Sequence, residues 1–243
     1  MKIRWVAIAI SLVFLSGMGA MAAEEDGPKY LTSQKEFYLS PAEMAFIQPG
    51  LTLKIQSVDV SGTTVTVTFK LTDNNNQGLD RLGVDTPGTV TTSWILARIK
   101  PGDSQYTAYT TRVVTSPVTS PNPGVTVTQA GTDSPAGTYT SLGSGVYKYT
   151  FTTKLPADDA ADATHTVGVY ATRDLRALAE QLGLTQLAKN GRYFSNDTFN
   201  FVPSGNAISQ VRDVVRTEAC NQCHDPLALH GGSRRLTQLC ILC

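Results

Sequence analysis

The sequence predicts a mainly β protein with antiparallel strands, folded as a Greek-key split barrel or a sandwich. Between residue 51 and about residue 171 the chain is rich in valine and threonine, whose branched Cβ atoms suit a pleated, half-buried strand. Apolar and polar residues alternate over residues 64–71, so one strand face would be buried and the other wet. Pro-Gly, Asn-rich and Gly-Ser segments separate such runs at the short spacing typical of sandwiches and barrels.

The remaining elements follow from local pattern. Further strands are predicted over residues 51–60, 93–100, 106–114, 146–155 and 164–172. A short helix is expected over residues 174–182, because leucines recur there at helical spacing and Gly183 can end it. Aromatic residues between Tyr193 and Phe201 predict a return strand. The apolar residues of 208–219 recur at helical spacing and predict a second helix; we see no internal repeat.

The N-terminus has the layout of a secretory signal peptide over residues 1–23. Lys2 and Arg4 precede an apolar run at 5–15 and small residues up to Ala23. A membrane anchor is the alternative, but the run is shorter than the ~20 residues that span a bilayer. The first cysteine is Cys220, so no lipid anchor is indicated. We therefore expect an exported protein with a β-rich domain over 24–205 and a smaller segment over 206–243.

Composition argues against several function classes. Lys plus Arg and Asp plus Glu number 20 each, so the net charge is zero and no basic field exists to attract nucleic acid. The chain has only three histidines, and no Ser-His-Asp set, paired carboxylates or phosphate-binding glycine loop stands out. We therefore expect a carrier or binding protein rather than a catalyst with an open substrate site.

Cysteine and histidine are concentrated at the C-terminal end of the chain. All four cysteines and two of the three histidines lie in the last 24 residues. Cys220, Cys223 and His224 match the pattern C-x-x-C-H, which attaches haem c: two thiols add to the porphyrin vinyl groups and the histidine binds iron. His165 lies in a predicted strand and is expected to be a structural residue.

Three alternatives remain for the cysteines. Sixteen residues separate Cys223 from Cys240, which is also a spacing of four-cysteine zinc ribbons. An oxidising compartment would allow disulfides. A thioredoxin-like redox pair is the third alternative, although no βαβ pattern surrounds either pair. With zinc or disulfides at its end, the chain would be an exported β-sandwich binding module.

A second, incomplete pattern follows the first. His230 precedes two glycines that allow a close backbone approach to a flat cofactor, and we expect it to be a distal ligand of a haem other than that of His224. An exposed loop histidine is the alternative. Cys240 and Cys243 form half of the attachment pattern, and the chain ends where its histidine would stand. We expect one complete haem site and a second that continues beyond residue 243.

The run from Arg212 through the C-N-Q-C-H-D-P-L-A-L-H-G-G segment to Cys243 resembles the first haem segment of OmcA/MtrC-type outer-membrane decahaem c-type cytochromes. The resemblance implies a Greek-key split barrel followed by the start of a loop and helix multihaem domain. It also implies bis-histidine haems that carry electrons from envelope redox proteins to extracellular acceptors such as metal oxides or flavins. In that scheme Cys220, Cys223, Cys240 and Cys243 attach haem, and His224 and His230 bind iron.

Overall fold

The computed structural model describes residues 30–157 and 162–243, and the predicted signal peptide lies outside them. The strands in chain order are β1 (Thr52–Ser61), β2 (Thr64–Thr72), β3 (Val90–Ile99), β4 (Tyr106–Ala108), β5 (Thr111–Thr115), β6 (Thr126–Ala130), β7 (Thr138–Gly143), β8 (Val146–Lys154), β9 (His165–Asp174) and β10 (Arg192–Phe201). The helices are a 3-10 turn at Lys35–Tyr38, α1 (Pro41–Ile47), α2 (Arg176–Leu182), α3 (Thr185–Asn190), α4 (Thr217–Cys220) and α5 (Thr237–Cys240).

The strands form two four-stranded antiparallel sheets and a separate ribbon. The first sheet has the order β1-β2-β8-β7, the second has the order β10-β9-β3-β4, and β5 pairs with β6 alone. The predicted mainly β, antiparallel fold is therefore confirmed. Among the described residues the two sheets do not close into a barrel, so the sandwich alternative holds.

Side chains join the two sheets along the seam between β1 and β10. The hydroxyl of Ser195 accepts a hydrogen bond from the backbone N–H of Leu53 at 2.8 Å. The carboxylate of Asp197 accepts one from the N–H of Ile55 at 2.9 Å, beside a bulge in β1. These side chains take the place of a backbone ladder and satisfy donors at the strand edge.

The main core lies between the sheets and follows the alternation in the sequence. Val65, Val67, Phe69 and Leu71 of β2 are fully buried. The indole of Trp94 on β3 stacks on an aromatic ring of β8, with centroids 4.9 Å apart and planes 11° apart. Trp94 and Leu96 thus face the core, and Ile95 and Ala97, which alternate with them on β3, face the opposite side of the second sheet.

That opposite side, which we call the outer face, is the part of the fold that positions the C-terminal segment. It is formed by side chains of three adjacent strands: Ile95 and Ala97 of β3, Gly168 and Tyr170 of β9, and Phe194 and Asn196 of β10. A sheet in a sandwich commonly leaves this side to solvent. Here residues near the end of the chain cover it.

Several predicted elements are confirmed, and one long strand is divided. The helix at 174–182 is α2, and Gly183 ends it with φ +67. The return strand is β10. The strand predicted over 106–114 is split into β4 and β5, because the backbone N–H groups of Tyr109 and Thr110 both turn to the carbonyl of Leu96. Strands β6 and β7 and helices α1, α3 and α5 were not predicted.

The helix predicted over 208–219 is wrong except for its last turn. Residues 206–216 have no helix, and only α4 is helical. Its apolar residues are β-branched and therefore poor helix formers, and they find nothing to pack against: Ile208, Val211, Val214 and Val215 are all exposed. Apolar spacing predicts a helix only where a core receives the apolar face.

Candidate functional site

The first cysteine pair lies on a single helical turn that runs on from α4. The carbonyl of Cys220 accepts hydrogen bonds from the backbone N–H groups of Cys223 at 3.2 Å and His224 at 3.1 Å. The turn places the two thiols three residues apart, on neighbouring positions of one side. Cys223 and His224 are exposed and Cys220 is half-buried, so all three are accessible to a large planar ligand.

The side chain of Asn221 fixes the chain that follows this turn. Its Oδ1 atom accepts a hydrogen bond from the backbone N–H of Leu227 at 2.8 Å. The loop from 224 to 227 is thereby folded back toward the cysteine turn. This residue occupies one of the two variable positions of the C-x-x-C-H pattern, which carry no signal for it in the sequence.

The second cysteine pair repeats the geometry of the first. Helix α5 ends at Cys240 as α4 ends at Cys220, and the residues that cap them have nearly equal dihedral angles, (−73°, −3°) for Asn221 and (−76°, −3°) for Ile241. Each pair follows a threonine in the pattern T-x-x-C-x-x-C. This short repeat was not predicted, although the threonine three residues before the first cysteine of each pair is its signal in the sequence.

The two threonines join the repeats. The Oγ1 atoms of Thr217 and Thr237 lie 3.1 Å apart, and Thr217 Oγ1 also accepts the backbone N–H of Thr237 at 2.9 Å. The hydroxyl of Thr237 donates to the carbonyl of Val215 at 2.7 Å. Both threonines are buried. These bonds set the distance and orientation between the two cysteine turns.

Two leucines attach the second turn to the outer face of the sheet. Leu239 and Leu242 are buried against Ile95 and Ala97. Gly168 lies beneath them in the middle of β9, where an added Cβ would be 2.5 Å from Leu242 Cδ1 and 2.7 Å from Leu239 Cδ1. A glycine inside a strand commonly marks such a close approach, so Gly168 carried a signal in the sequence, although this contact was not predicted.

His230 lies at the tip of a tight loop. The backbones of Leu229 and Arg234 pair with each other, and His230, Gly231 and Gly232 between them all have positive φ, from +50° to +89°. Glycine adopts positive φ without steric cost, which explains Gly231 and Gly232 in this turn, and the close approach of a cofactor expected at these glycines stays a prediction. The imidazole is exposed.

Polar and cationic side chains hold the base of this loop on the outer face. The amide of Asn196 accepts from the N–H of Arg235 at 2.6 Å and donates to the carbonyl of Ser233 at 2.9 Å. The guanidinium of Arg234 lies 3.3 Å from the ring centroid of Tyr170. Such cation–π contacts contribute about 0.5–2 kcal/mol each, so together with the amide they fix the loop on the sheet.

The loop, the second cysteine turn and the sheet enclose a cavity of about 400 Å³. His230, Cys240 and Cys243 all line it, whereas Cys220, Cys223 and His224 do not. The pKa of the Cys240 thiol is raised by desolvation first and by the nearby thiols of Cys243 and Cys220, against an opposing effect of Arg234. The structure thus groups His230 with the second cysteine pair and apart from His224.

Neither a disulfide nor a cluster of metal ligands is formed among the described residues. All four cysteines are free thiols, and no three His, Cys, Asp or Glu side chains in 30–157 and 162–243 are gathered as metal ligands. His165 is buried in β9 and forms a 2.9 Å hydrogen bond with Tyr109, as expected of a structural residue. No helix within the described part of the chain has the length and apolar character needed to cross a bilayer.

Solved structures that share this fold include OmcA and MtrC. The outer-membrane decahaem cytochrome OmcA superposes with a TM-score of 0.56 and 26% identity, over 80% of this chain. MtrC from Shewanella baltica OS185 superposes with a TM-score of 0.52 and 20% identity, over 79%. The chain resembles the OmcA/MtrC-type decahaem cytochromes.

This similarity confirms the resemblance predicted from the sequence. The chain spans 29% of the length of OmcA and 29% of that of MtrC, so it matches only part of either protein. No protein-family model matches the chain, and no curated protein matches its sequence.

Proposed function

We propose that this chain belongs to an electron-transferring multihaem c-type cytochrome of the cell envelope and carries haem c at Cys220 and Cys223, with His224 as the proximal iron ligand. The observation that carries the proposal is the C-x-x-C-H sequence folded as one accessible turn, on a fold similar to that of a decahaem cytochrome. When bound, the haem supplies a one-electron iron couple, and the chain's own residues attach it and hold it in place.

The residues at the first turn fit this cofactor. Both thiols are free to form thioether bonds, because neither is paired in a disulfide. His224 follows directly on the same turn and is exposed, so its imidazole is available to iron. The chain beyond the turn is folded back by Asn221, which leaves the exposed side open.

A second haem is proposed at Cys240 and Cys243, with His230 as its distal ligand. This assignment is supported by the cavity, which His230 lines together with both cysteines. Residues 24–205 would then form the β-rich domain and residues 206–243 the start of the haem-binding domain. The Thr217–Thr237 pair between the two turns would hold the haems as neighbours.

The proposed activity is electron relay. Two histidine ligands per iron leave no open position for a substrate, which favours a carrier over a catalyst. OmcA is described as an outer-membrane cytochrome, and by analogy we propose that this chain is exported to the periplasm or the outer-membrane surface. Its partners would be envelope redox proteins and extracellular acceptors such as metal oxides or flavins.

A cofactor assay with two histidine variants tests this proposal. The protein is exported in cells that contain the haem c attachment machinery, purified and examined as the pyridine haemochrome. We expect a haem c spectrum in the parent, severe loss of haem in His224→Ala and normal attachment in the matched control His230→Ala. A haem-free protein with stoichiometric zinc, or equal loading of His224→Ala, would contradict the proposal.

A further inference from the structure

The cavity beside the second cysteine pair is lined by positively charged side chains in addition to its thiols and His230. Among the described residues, two arginines, Arg112 and Arg234, line it, and no aspartate or glutamate does. The remaining wall includes Ile95, Tyr170 and Leu239 of the apolar contact with the sheet. An apolar wall with a few convergent cations is the lining expected for a flat, mostly apolar ligand that carries negative charge.

Of the two cations, Arg234 already has a structural role. Its guanidinium lies over the ring of Tyr170 and donates a 2.7 Å hydrogen bond to the hydroxyl of Ser233. These contacts hold the loop that carries His230. Its charge faces the cavity, but its position is fixed by the sheet.

Arg112 has no such role. It lies on β5, in the separate two-stranded ribbon, 128 residues before Cys240 in the sequence. It is exposed, and among the described residues it forms no ion pair and no side-chain hydrogen bond. Arg112 is paired with Gln129 across the ribbon, and its aliphatic part lies beside Gly131, where an added Cβ would be 3.3 Å from Arg112 Cγ.

We propose that Arg112 is the cationic partner of the haem carboxylates at the Cys240–Cys243 site, so that the β domain forms one wall of that haem pocket and raises its reduction potential. The inference rests on the proposed function and assigns a residue outside the haem-binding segment to it. A fixed positive charge beside the cofactor favours the reduced iron, which carries one positive charge less than the oxidised iron. Removal of the charge therefore lowers the potential of the second haem and leaves the first unchanged.

The test uses the full chain lengthened by one histidine after Cys243, which completes the second attachment pattern. Mass spectrometry under denaturing conditions first counts the covalent haems, and two are expected. Optical redox titration then compares Arg112→Gln and Arg112→Lys with the parent. Arg81→Gln is the matched control, since Arg81 lies over the ring of Tyr139 and does not line the cavity.

We expect all four proteins to carry two haems. Arg112→Gln shifts one of the two titration steps to lower potential, Arg112→Lys restores most of the shift, and Arg81→Gln matches the parent. Equal potentials in Arg112→Gln and the parent, or an equal shift in Arg81→Gln, would overturn the inference. A single haem in the lengthened chain would overturn it while leaving the attachment at Cys220 and Cys223 standing, and no haem at all would overturn the proposed function as well.

Discussion

The β domain and the C-terminal segment are stabilised in different ways. Residues 30–157 and 162–202 enclose a core of buried side chains between two sheets. Residues 203–243 enclose none of their own: Leu239 and Leu242 are buried only against the sheet, and the valines before the first cysteine turn are exposed. The segment therefore takes its conformation from the outer face of the sheet, from polar contacts and, in our proposal, from haem.

This difference explains why the segment can hold large cofactors. Burial of apolar surface stabilises by about 25 cal/mol per Å², and a segment without a core obtains little of that from its own side chains. Its exposed apolar and thiol groups remain available to a porphyrin. The predictions below separate the two regions, beginning with the largest expected effect.

The first prediction concerns the core of the sandwich. Phe69→Ala should lower the free energy of unfolding by about 3–5 kcal/mol, because the ring is fully buried between Trp94 and Tyr147. Urea unfolding followed by the fluorescence of Trp94 measures this. Phe46→Ala is the control, since Phe46 is 75% exposed and should change stability by less than about 0.5 kcal/mol. Equal effects of the two changes would refute this account of the core.

The second prediction separates the segment from the domain. Leu242→Ala should weaken the contact with the sheet by about 2–3 kcal/mol and increase amide hydrogen exchange over residues 229–243. The unfolding midpoint reported by Trp94 should stay unchanged, because the main core lies on the other side of the sheet. The exposed Val211→Ala serves as the control. A fall in the Trp94 midpoint equal to that of Phe69→Ala would mean that the two regions unfold as one.

The third prediction concerns the junction of the two cysteine turns. Thr237→Val keeps the shape of the side chain but removes its hydroxyl, leaving the carbonyl of Val215 without this donor and costing about 1–2 kcal/mol of local stability. Amide exchange at residues 217–223 should rise in Thr237→Val and stay near the parent level in Thr237→Ser, which keeps the hydroxyl. Equal amide exchange at residues 217–223 in the two variants would show that the hydrogen bond from Thr237 to Val215 does not couple the turns.

The smallest effect is the reactivity of one thiol in the haem-free protein. Desolvation and the neighbouring thiols raise the pKa of Cys240, so its reactive thiolate forms at higher pH than that of an ordinary cysteine. Alkylation of Cys240 should therefore be slower at neutral pH in the folded protein than in urea, and should accelerate as the pH rises. Peptide mass mapping follows each cysteine. Equal rates in folded and unfolded protein at neutral pH would contradict the predicted environment.

The β domain was predicted well from the sequence because the alternation of apolar and polar residues matches the alternation of buried and less buried side chains in its strands. The alternation in β2 and the glycine after α2 correspond directly to a buried face and a helix end. The prediction failed at 208–219, where the same kind of pattern has no core to receive it. Strand β6 was not predicted, and its residues are mostly exposed, so no buried face marks it.

At the site, the sequence predicted the cysteines and histidines as candidates but not what supports them. Thr217 and Thr237 were visible in the sequence as a repeat before the two cysteine pairs. Gly168 was visible as a glycine inside a predicted strand. Arg112 had no local signal, since only the folded chain brings β5 beside Cys240 and Cys243. Contacts between residues that are far apart in the sequence cannot be predicted from the spacing of residue types along it.

The most direct test of the central claim is the intact mass of the exported protein under denaturing conditions. Covalent haem survives denaturation, whereas a bound metal is lost. We predict that the 243-residue chain, made with the haem c attachment machinery, carries one haem mass, and that Cys220→Ala combined with Cys223→Ala abolishes it while Cys240→Ala combined with Cys243→Ala does not. An unmodified polypeptide mass, or a haem mass that persists without Cys220 and Cys223, would contradict it.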